Sequence, residues 1–261
     1  MKQKINSNFF WVLGLSLTLP SCGSNNQSGS TTDTTTQKTT DTTTAQTPAQ
    51  TDAMDAVRVA PDLYKPIADS MGIRMLQISY KPGDSSAMHS HPDVALYVID
   101  GGKSQFTMQD GSKQTSDLKS GAAVVMPATT HSVKNIGKTT VKAILVEVNR
   151  PNTASSVLDP KTDAAKVAPA LYKVLADTMN IKVLMSTYKP GASSALHAHP
   201  DNAIYVLQGG TAEFTLKDGT KQTLTLGSGM AQVRAGEMHS VKNTGKTPLK
   251  VLIVEVNRAG Q

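Results

Sequence analysis

Two short stretches of the sequence carry paired histidines, and histidine is the side chain that most often binds metal ions in proteins. The first stretch reads AMHSHPD at residues 87–93, and the second reads ALHAHPD at residues 195–201. Side chains alternate between the two faces of a β-strand, so both histidines of each stretch point the same way if the stretch is a strand. Two imidazoles on one face at this spacing can bind one transition-metal ion.

A third histidine follows each pair. The predicted ligands are, in the first half, His89, His91 and His131 and, in the second half, His197, His199 and His239, which are all six histidines of the chain. Two predicted hairpins separate each pair from its third histidine, which is enough chain for a strand to fold back beside the first. The sequence therefore predicts one three-histidine metal site in each half. The alternative is that these histidines serve hydration or hydrogen bonding alone.

The two halves of the chain are copies of each other. Residues 56–150 align with residues 164–258 without a gap, and more than half of the positions are identical. A repeat of this length indicates an internal duplication, and each copy is close to the common size of a domain. The connector at residues 151–163 is rich in Pro, Ser, Thr and Asp. We therefore predict two domains of one fold, packed together.

The elements that must position the histidines are β-strands. The segments of the first copy that are rich in aliphatic and β-branched residues and bounded by turn signals are 73–80, 94–99, 103–109, 122–126 and 141–149. Only residues 62–71 have the composition of a helix, and Pro66 opposes that interpretation. About eight or nine short strands per copy predict an all-β fold, either an antiparallel sandwich or a barrel.

The spacing of the histidines and their neighbours resembles the two motifs of the cupin family. The positions that match are Gly83, His89, His91, Gly121, Pro127, His131 and Asn135 in the first copy, and Gly191, His197, His199, Gly229, His239 and Asn243 in the second. Thr129 stands where the second motif has a glycine, and Ala235 replaces the proline in the second copy. The resemblance covers both copies and implies tandem jelly-roll domains whose histidines face into the barrel.

One departure from the family pattern concerns the metal. Leu96 and Ile204 stand where cupins usually have a metal-binding glutamate. Imidazole suits Fe, Zn, Ni and Cu, whereas carboxylate suits Mn and Mg. We therefore expect a divalent transition metal, namely Fe, Zn, Ni or Cu, rather than the manganese chemistry of the oxalate-degrading cupins. Glu147 and Glu255 could replace the missing acid, but the sequence does not reveal which way they face.

Other polar residues near the motifs leave alternatives open. Asp93 and Asp201 follow the histidine pairs and are more typical of turns or of hydrogen-bond partners of a ligand than of ligands. Arg234 replaces Met126 of the first copy. If Arg234 faces inward, domain 2 could bind an anionic ligand through a bidentate contact, and if it faces outward, it belongs to a solvated surface.

The N-terminus has the pattern of an export signal. Lys2 and Lys4 precede an apolar run at residues 9–19, which is too short to span a bilayer. The sequence LPSC, residues 19–22, resembles a bacterial lipobox and implies lipidation of Cys22, the single cysteine, which excludes an intrachain disulfide. A plain cleaved signal or an uncleaved anchor is the alternative.

These observations predict the domain organisation. The expected segments are a lipoprotein-type signal peptide at 1–22, a Thr/Ser-rich disordered tether at 23–53, cupin domain 1 at 54–150, the connector at 151–163 and cupin domain 2 at 164–261. Stable anchoring by two lipid chains would place the protein in the bacterial cell envelope, facing the periplasm or the cell surface.

Composition excludes one class of function. The formal net charge is +6, but the lysines are scattered, without the arginine and aromatic clusters of nucleic-acid binders. Three hypotheses remain: a metal-dependent, dioxygenase-like enzyme acting on a small molecule, a non-catalytic module that binds or senses a small molecule or metal, and an inert duplicate whose histidines only satisfy the core. No catalytic residue beyond the metal ligands can be named. The expected partners are a small-molecule ligand, the membrane through the lipid anchor, and a second chain paired along jelly-roll edges.

Overall fold

A computed structural model describes residues 52–149 and 159–257 of the chain. The predicted signal peptide with Cys22, nearly all of the tether and most of the connector lie outside these residues, so their boundaries stay predictions. Within the described ranges no helix is long and apolar enough to cross a membrane. The described chain is nearly all β, which confirms the predicted fold class.

Within the described residues, each copy forms nine strands and one short α-helix. The elements of domain 1 are α1 Ala56–Val59, β1 Tyr64–Ser70, β2 Ile73–Tyr80, β3 His89–His91, β4 Asp93–Asp100, β5 Gly102–Met108, β6 Lys113–Leu118, β7 Ala123–Met126, β8 Thr129–Asn135 and β9 Val141–Val148. The elements of domain 2 are α2 Ala164–Val167, β10 Tyr172–Thr178, β11 Ile181–Tyr188, β12 His197–His199, β13 Asn202–Gln208, β14 Gly210–Leu216, β15 Lys221–Leu226, β16 Ala231–Arg234, β17 Glu237–Asn243 and β18 Leu249–Val256. A 3-10 helix at Asp52–Met54 precedes α1.

The strands of each domain form two antiparallel sheets that enclose a core. In domain 1 the orders are β1-β2-β9-β4-β7 and β3-β8-β5-β6, and in domain 2 they are β10-β11-β18-β13-β16 and β12-β17-β14-β15. Neighbouring strands in these orders are often distant in sequence, which is the connectivity of a jelly roll. The predicted tandem jelly rolls are therefore present.

The segment with the composition of a helix, residues 62–71, contains strand β1. Because β1 is the edge strand of its sheet, Pro66 breaks no ladder on its outer side. The pairing with β2 also shifts register between Pro66 and Ala68, as a bulge does. The edge position explains how a proline is accommodated in a strand here.

The two five-stranded sheets pack against each other. One apolar cluster contains buried residues from both domains, among them Ile73, Val146, Ile181 and Val254. The edge strands meet reciprocally, β1 with β16 and β7 with β10. Each five-stranded sheet is therefore buried on both faces, one against its own barrel and the other against the neighbouring domain.

Two residues of the motifs join the ends of the strands around the first histidine pair. Gly83 has a φ of +89°, which is strained for residues with a side chain, and its N–H donates to the carbonyl oxygen of Asn135. The fully buried amide of Asn135 donates to the carbonyl oxygens of Tyr80 and Thr139, both at 2.8 Å. The glycine and the asparagine therefore fix the loop that leads to β3 and the end of β8.

Candidate metal centres

The first histidine triad is built by neighbouring strands of the four-stranded sheet. Strand β3 pairs with β8 in a register that places His89 opposite His131, and His91 lies on the same face two residues further. The ring centroids are 4.9 Å apart for His89 and His91, 5.0 Å for His89 and His131, and 5.4 Å for His91 and His131. One ligand nitrogen from each ring lies within 4.8 Å of the others, so the three rings converge.

The second triad has the same construction. Strand β12 pairs with β17, and His197 lies opposite His239. The ring centroids are 5.0 Å apart for His197 and His199, 4.9 Å for His197 and His239, and 5.3 Å for His199 and His239. The register of the strands therefore brings together all six predicted ligands in two groups.

Hydrogen bonds orient the first histidine of each triad. The Nδ1 atom of His89 lies 2.8 Å from the carbonyl oxygen of Ala87, and the same contact joins His197 and Ala195. A carbonyl oxygen only accepts hydrogen bonds, so in both rings Nδ1 carries the proton and Nε2 carries the lone pair. Among the described residues, the buried Nε2 atom of His89 has no hydrogen-bond partner. A buried polar atom without a partner is costly, and a metal ion would satisfy it.

The two glutamates of the last strands face inward, but they bind histidines. The Nδ1 atom of His91 donates to Glu147 Oε1 at 2.7 Å, and that of His199 donates to Glu255 Oε1 at 2.6 Å. The two carboxylates therefore orient the second histidine of each triad and leave its Nε2 atom for a ligand. Neither glutamate belongs to the described three-histidine clusters, so in this structure they do not replace the missing motif glutamate.

A different cation balances each glutamate. In domain 1, Arg74 Nε donates to Glu147 Oε2 at 2.5 Å and its Nη2 donates to Asp55. These two carboxylates outweigh the effect of burial and raise the pKa of Arg74 above its usual value. Asp55 is also the N-cap of α1, since its side chain accepts from the backbone N–H groups of Val57 and Arg58. The first triad is thus linked to the first residues of the domain.

In domain 2 a lysine occupies the position of the arginine. Lys182 Nζ lies 2.6 Å from Asp163 Oδ2 and 3.6 Å from Glu255 Oε2. Its closer partner is therefore the N-cap of α2 rather than the glutamate. A single ammonium group cannot form the rigid two-sided contact that the guanidinium forms in domain 1.

The aspartates that follow the histidine pairs accept hydrogen bonds from backbone N–H groups. Asp93 Oδ1 accepts from the backbone N–H of Ala128 at 3.1 Å, and Asp201 Oδ1 accepts from that of Gly236 at 3.0 Å. Neither aspartate belongs to the three-histidine clusters of the described residues. They connect the end of each histidine pair to the loop before the third histidine.

A pair of tyrosines borders each triad. In domain 1, the Tyr80 hydroxyl donates to the Tyr64 hydroxyl at 2.9 Å, and the ring centroids of Tyr64 and His89 are 4.9 Å apart. In domain 2, the Tyr188 hydroxyl donates to Tyr172 at 2.8 Å. The Tyr172 hydroxyl lies 2.8 Å from His197 Nε2 and donates to it, because Nδ1 of that ring already carries the proton.

The two centres differ most around the third histidine. In domain 2, His239 Nδ1 donates to Glu237 Oε1 at 3.1 Å, and Arg234 Nη2 donates to Glu237 Oε2 at 3.0 Å. Burial opposes ionisation of Glu237, but the contacts with His239 and Arg234 outweigh it and lower its pKa. Arg234 is thus half-buried and ion-paired beside the triad. Domain 1 has Thr129 and Met126 at these positions.

Burial favours the neutral form of several of these histidines. Desolvation, together with the neighbouring rings, lowers the pKa of His89 to about 4 and the pKa of His131 to about 3. Burial also lowers the pKa of His197 to about 3. Neutral imidazole is the form that binds metal ions, so these rings need not release a proton first at neutral pH.

Two duplicated jelly rolls, each with a buried three-histidine cluster, define a class of β-barrel proteins that can hold a metal ion in each barrel. The family model described as the cupin domain matches residues 76–147 and 184–255. These two ranges make up more than half of the sequence, so the chain belongs to the cupin family, as a member with two cupin domains. No curated protein sequence matches the chain.

The fold is similar to that of oxalate decarboxylase. One solved structure, from a study of proton-coupled electron transfer in oxalate decarboxylase, has a TM-score of 0.52 and 19% identity and covers 77% of this chain and 71% of that chain. Another, from a study of the Mn(II) centres of Bacillus subtilis oxalate decarboxylase, has a TM-score of 0.50 and 19% identity and covers 78% of this chain and 72% of that chain. At this identity the likeness shows the shared fold.

Sequence reasoning missed several residues around the triads. The tyrosine pairs recur in both copies, and that recurrence was the available signal, although a buried tyrosine is more often a core residue. No local pattern indicates the cations beside the glutamates, because Arg74 and Lys182 lie within strands that also contain other polar residues. Their roles became evident only from the pairing of β2 with β9 and of β11 with β18.

Proposed function

We propose that each domain binds one divalent transition-metal ion through the Nε2 atoms of its three histidines. The observation that carries this proposal is the buried Nε2 atom of His89, which has no hydrogen-bond partner among the described residues. The Nδ1 atoms of His89 and His91 are held by a carbonyl and a carboxylate, so both rings present the remaining nitrogen. Two oriented rings and the converging ring of His131 form a set of donors suited to a metal ion.

The donor set supports Fe, Zn, Ni or Cu as the metal. Both clusters consist of imidazoles, and the nearest buried carboxylates, Glu147 and Glu255, are occupied by hydrogen bonds to histidines. The structurally similar oxalate decarboxylase of Bacillus subtilis has Mn(II) centres. Manganese prefers oxygen ligands, so a three-imidazole site favours the other four metals.

We propose further that the protein is a metal-dependent, dioxygenase-like enzyme that acts on a small molecule. Three protein ligands leave coordination positions open, where a metal ion could polarise a substrate or exchange electrons with it. The chain's own residues orient the rings, and the histidines lie buried in a barrel whose core contains Val94 with Leu96 and Met126 packed against it. Burial limits the access of water to the site.

A second candidate is a module that binds or senses a small molecule without transforming it. The observation that favours it is the commitment of Glu147, the buried carboxylate of the first centre, to His91 and Arg74. A carboxylate held in two hydrogen bonds is poorly placed to act as a general acid or base. Within the described residues, this leaves domain 1 without a free, fully buried carboxylate for acid–base chemistry.

We also propose that Cys22 carries a lipid anchor that holds the protein in the cell envelope. The support is the lipobox-like LPSC sequence after an apolar run. In a bacterial host, the full chain should take up labelled fatty acid and fractionate with membranes. A Cys22→Ser variant should lose both properties, and uptake of label by that variant would contradict the proposal.

Elemental analysis of protein made without a purification His-tag tests the metal proposal. The full chain should contain about two equivalents of transition metal, one per three-histidine site. His89→Ala and His197→Ala should each lose one equivalent, and the double variant should lose both. A wild-type protein that holds no metal after loading with any of the four ions would overturn the proposal.

A matched control exists on the opposite face of β3. Ser90 lies between the paired histidines but points away from them, and its hydroxyl lies 2.8 Å from that of Thr130. Domain 2 has Ala198 at this position, so Ser90→Ala introduces a residue that the fold already accepts. This variant should keep both equivalents of metal.

Oxygen consumption then separates the enzyme from the binding module. Metal-loaded protein would be tested against a panel of small enols, thiols and diols, with the double histidine variant as the blank. Turnover that disappears in the blank supports the enzyme. Binding of a panel compound by calorimetry without turnover supports the second candidate.

A further inference from the structure

We infer that the hydroxyl groups of Tyr64 and Tyr172 donate a hydrogen bond to the small ligand on the open side of each metal centre, an inference that rests on the proposed function. The ligand class is a small anion or an oxygen-bearing molecule that can accept a hydrogen bond beside the metal ion. The two tyrosines are then catalytic or binding residues in addition to the histidines.

The geometry is clearest in domain 2. The Tyr172 hydroxyl lies 2.8 Å from His197 Nε2, the nitrogen that faces the centre. Zinc–imidazole bonds are about 2.0–2.1 Å long. A metal ion on this nitrogen would take the lone pair that now accepts the tyrosine proton. Because such an ion would lie close to the line between the two atoms, the Tyr172 hydroxyl would turn aside from its present position when the ion binds, and its proton would then be free for a non-protein ligand on the open side of the ion.

A second tyrosine fixes the direction of this donor. Tyr188 donates to the Tyr172 oxygen at 2.8 Å, and the two rings meet edge to face with centroids 5.9 Å apart. The Ser194 hydroxyl forms a side-chain hydrogen bond with Tyr188. Because the Tyr172 oxygen already accepts a hydrogen bond from this side, its own proton is directed towards the histidines.

Domain 1 repeats the arrangement. Tyr80 donates to Tyr64 at 2.9 Å, with ring centroids again 5.9 Å apart, and the Ser86 hydroxyl contacts Tyr80. The centroid of the Tyr64 ring lies 4.9 Å from the ring centroid of His89 and 5.5 Å from that of His91. The tyrosine pair is therefore a shared feature of both centres, although among the described residues only the Tyr172 hydroxyl contacts a histidine nitrogen, since His89 Nε2 has no hydrogen-bond partner.

The surroundings favour a donor over a metal-binding phenolate. Both Tyr64 and Tyr172 are buried, and each lies near a carboxylate, Glu147 or Glu255 respectively. The 2.8 Å contact between the Tyr172 hydroxyl and His197 Nε2 requires the proton to come from the tyrosine, because the Nδ1 proton of that ring is bonded to the carbonyl oxygen of Ala195. A phenol that keeps its proton donates hydrogen bonds and binds metal ions weakly.

Azide binding to the cobalt-loaded full chain tests the inference. A His89→Ala background confines Co(II) to domain 2, and the visible Co(II) spectrum reports both metal loading and azide binding. Tyr172→Phe should keep one equivalent of Co(II) and raise the azide dissociation constant about tenfold, the loss expected for a hydrogen bond to a charged acceptor. Tyr188→Phe, which removes only the support, should raise it about threefold.

Tyr205→Phe is the matched control, because Tyr205 belongs to the cluster between the domains on the other face of the sheet. It should leave azide affinity unchanged. Equal azide affinity in the Tyr172→Phe and parent proteins would overturn the inference. So would loss of Co(II) from Tyr172→Phe, or a phenolate charge-transfer band in the Cu(II)-loaded parent, since either makes the tyrosine a ligand. Failure of the parent itself to bind metal would instead overturn the proposed function together with this inference.

Discussion

The two histidine triads have almost the same shape, but the residues behind them differ. The distances between ring centroids agree within about 0.1 Å from one domain to the other. In contrast, the third histidine of domain 2 is held by Glu237, where domain 1 has a threonine. The buried glutamate of domain 1 is paired with an arginine, and that of domain 2 lies near a lysine.

The comparison separates two levels of control. Strand register sets where the imidazoles lie, and the duplication preserved that register in both copies. The charged groups one step further out determine how firmly each ring is held and how much charge surrounds it. Sequence divergence at Thr129 and Glu237, and at Arg74 and Lys182, can therefore tune each centre without moving its ligands.

The largest expected difference between the domains is in the free energy of unfolding lost when Arg74 or Lys182 is replaced. Arg74→Met would leave Glu147, which is fully buried, without its closest cation. An uncompensated buried charge lowers the free energy of unfolding by about 3–5 kcal/mol. Lys182→Met should cost about 1–3 kcal/mol, because Lys182 lies 3.6 Å from Glu255 and bonds mainly to Asp163. Urea unfolding monitored by circular dichroism measures both losses.

The control for this prediction removes the charge as well as its partner. The double variant Arg74→Met with Glu147→Gln should recover part of the stability that Arg74→Met loses, because no buried charge then remains unpaired. Equal losses for the arginine and lysine variants would show that the two networks are energetically equivalent, contrary to their geometry.

Acid should reveal what the two triads share. The pKa of His89 in the folded protein is about 4 and that of His197 about 3, against 6.5 for an exposed histidine. Between these values and 6.5 the unfolded chain binds protons that the folded chain does not, so stability falls as the pH falls through this window. At pH 5 we expect a loss on the order of 1–2 kcal/mol per histidine relative to pH 7.

Urea unfolding of metal-free protein at pH 7, 6 and 5 measures this loss. His89→Asn and His197→Asn should each make the dependence on pH shallower by a similar amount. If only one of the two variants changes the pH dependence, burial does not lower the pKa of the two histidines to a similar extent, and the triads differ in their electrostatics.

The smallest expected effect concerns metal affinity in domain 2. Glu237→Thr removes the hydrogen bond that orients His239, which we expect to weaken metal binding about tenfold, at the lower end for the loss of such a partner. Competition with a coloured chelator in the His89→Ala background measures the affinity. The reciprocal pair Thr129→Glu with Met126→Arg should strengthen binding in domain 1, measured in the His197→Ala background. Unchanged affinities in both would mean that the ligands alone set the strength of binding.

Much of the fold and the ligand set could be predicted from the sequence. The segments 73–80 and 141–149 correspond to β2 and β9 within one residue. The alternation of side chains along a strand correctly placed His89 and His91 on one face, and they converge with His131. These features depend on local pattern and on a repeat that is visible in the sequence.

The facing of Glu147 could not be predicted, and the reason is physical. Strand β9 is buried along nearly all of its length, because one face lines the barrel and the other packs against domain 2. A strand buried on both faces loses the alternation of polar and apolar residues that reveals which side chains point inward. The link from Glu147 to Arg74 and Asp55 likewise depends on long-range pairing that no local pattern encodes.

The back-to-back contact of the two five-stranded sheets has a consequence for the history of the molecule. A chain with only one copy would expose the apolar face of its five-stranded sheet, and such a face favours association with a second chain. The reciprocal contact seen between the two domains is the kind that a symmetric homodimer forms. Duplication of the domain within one gene would supply the second sheet at a high effective concentration in the same polypeptide. Once the two copies are joined in one chain, they no longer need to have identical sequences. The site of domain 2 could then acquire the ion pair between Arg234 and Glu237, while domain 1 has Met126 and Thr129 at the same positions.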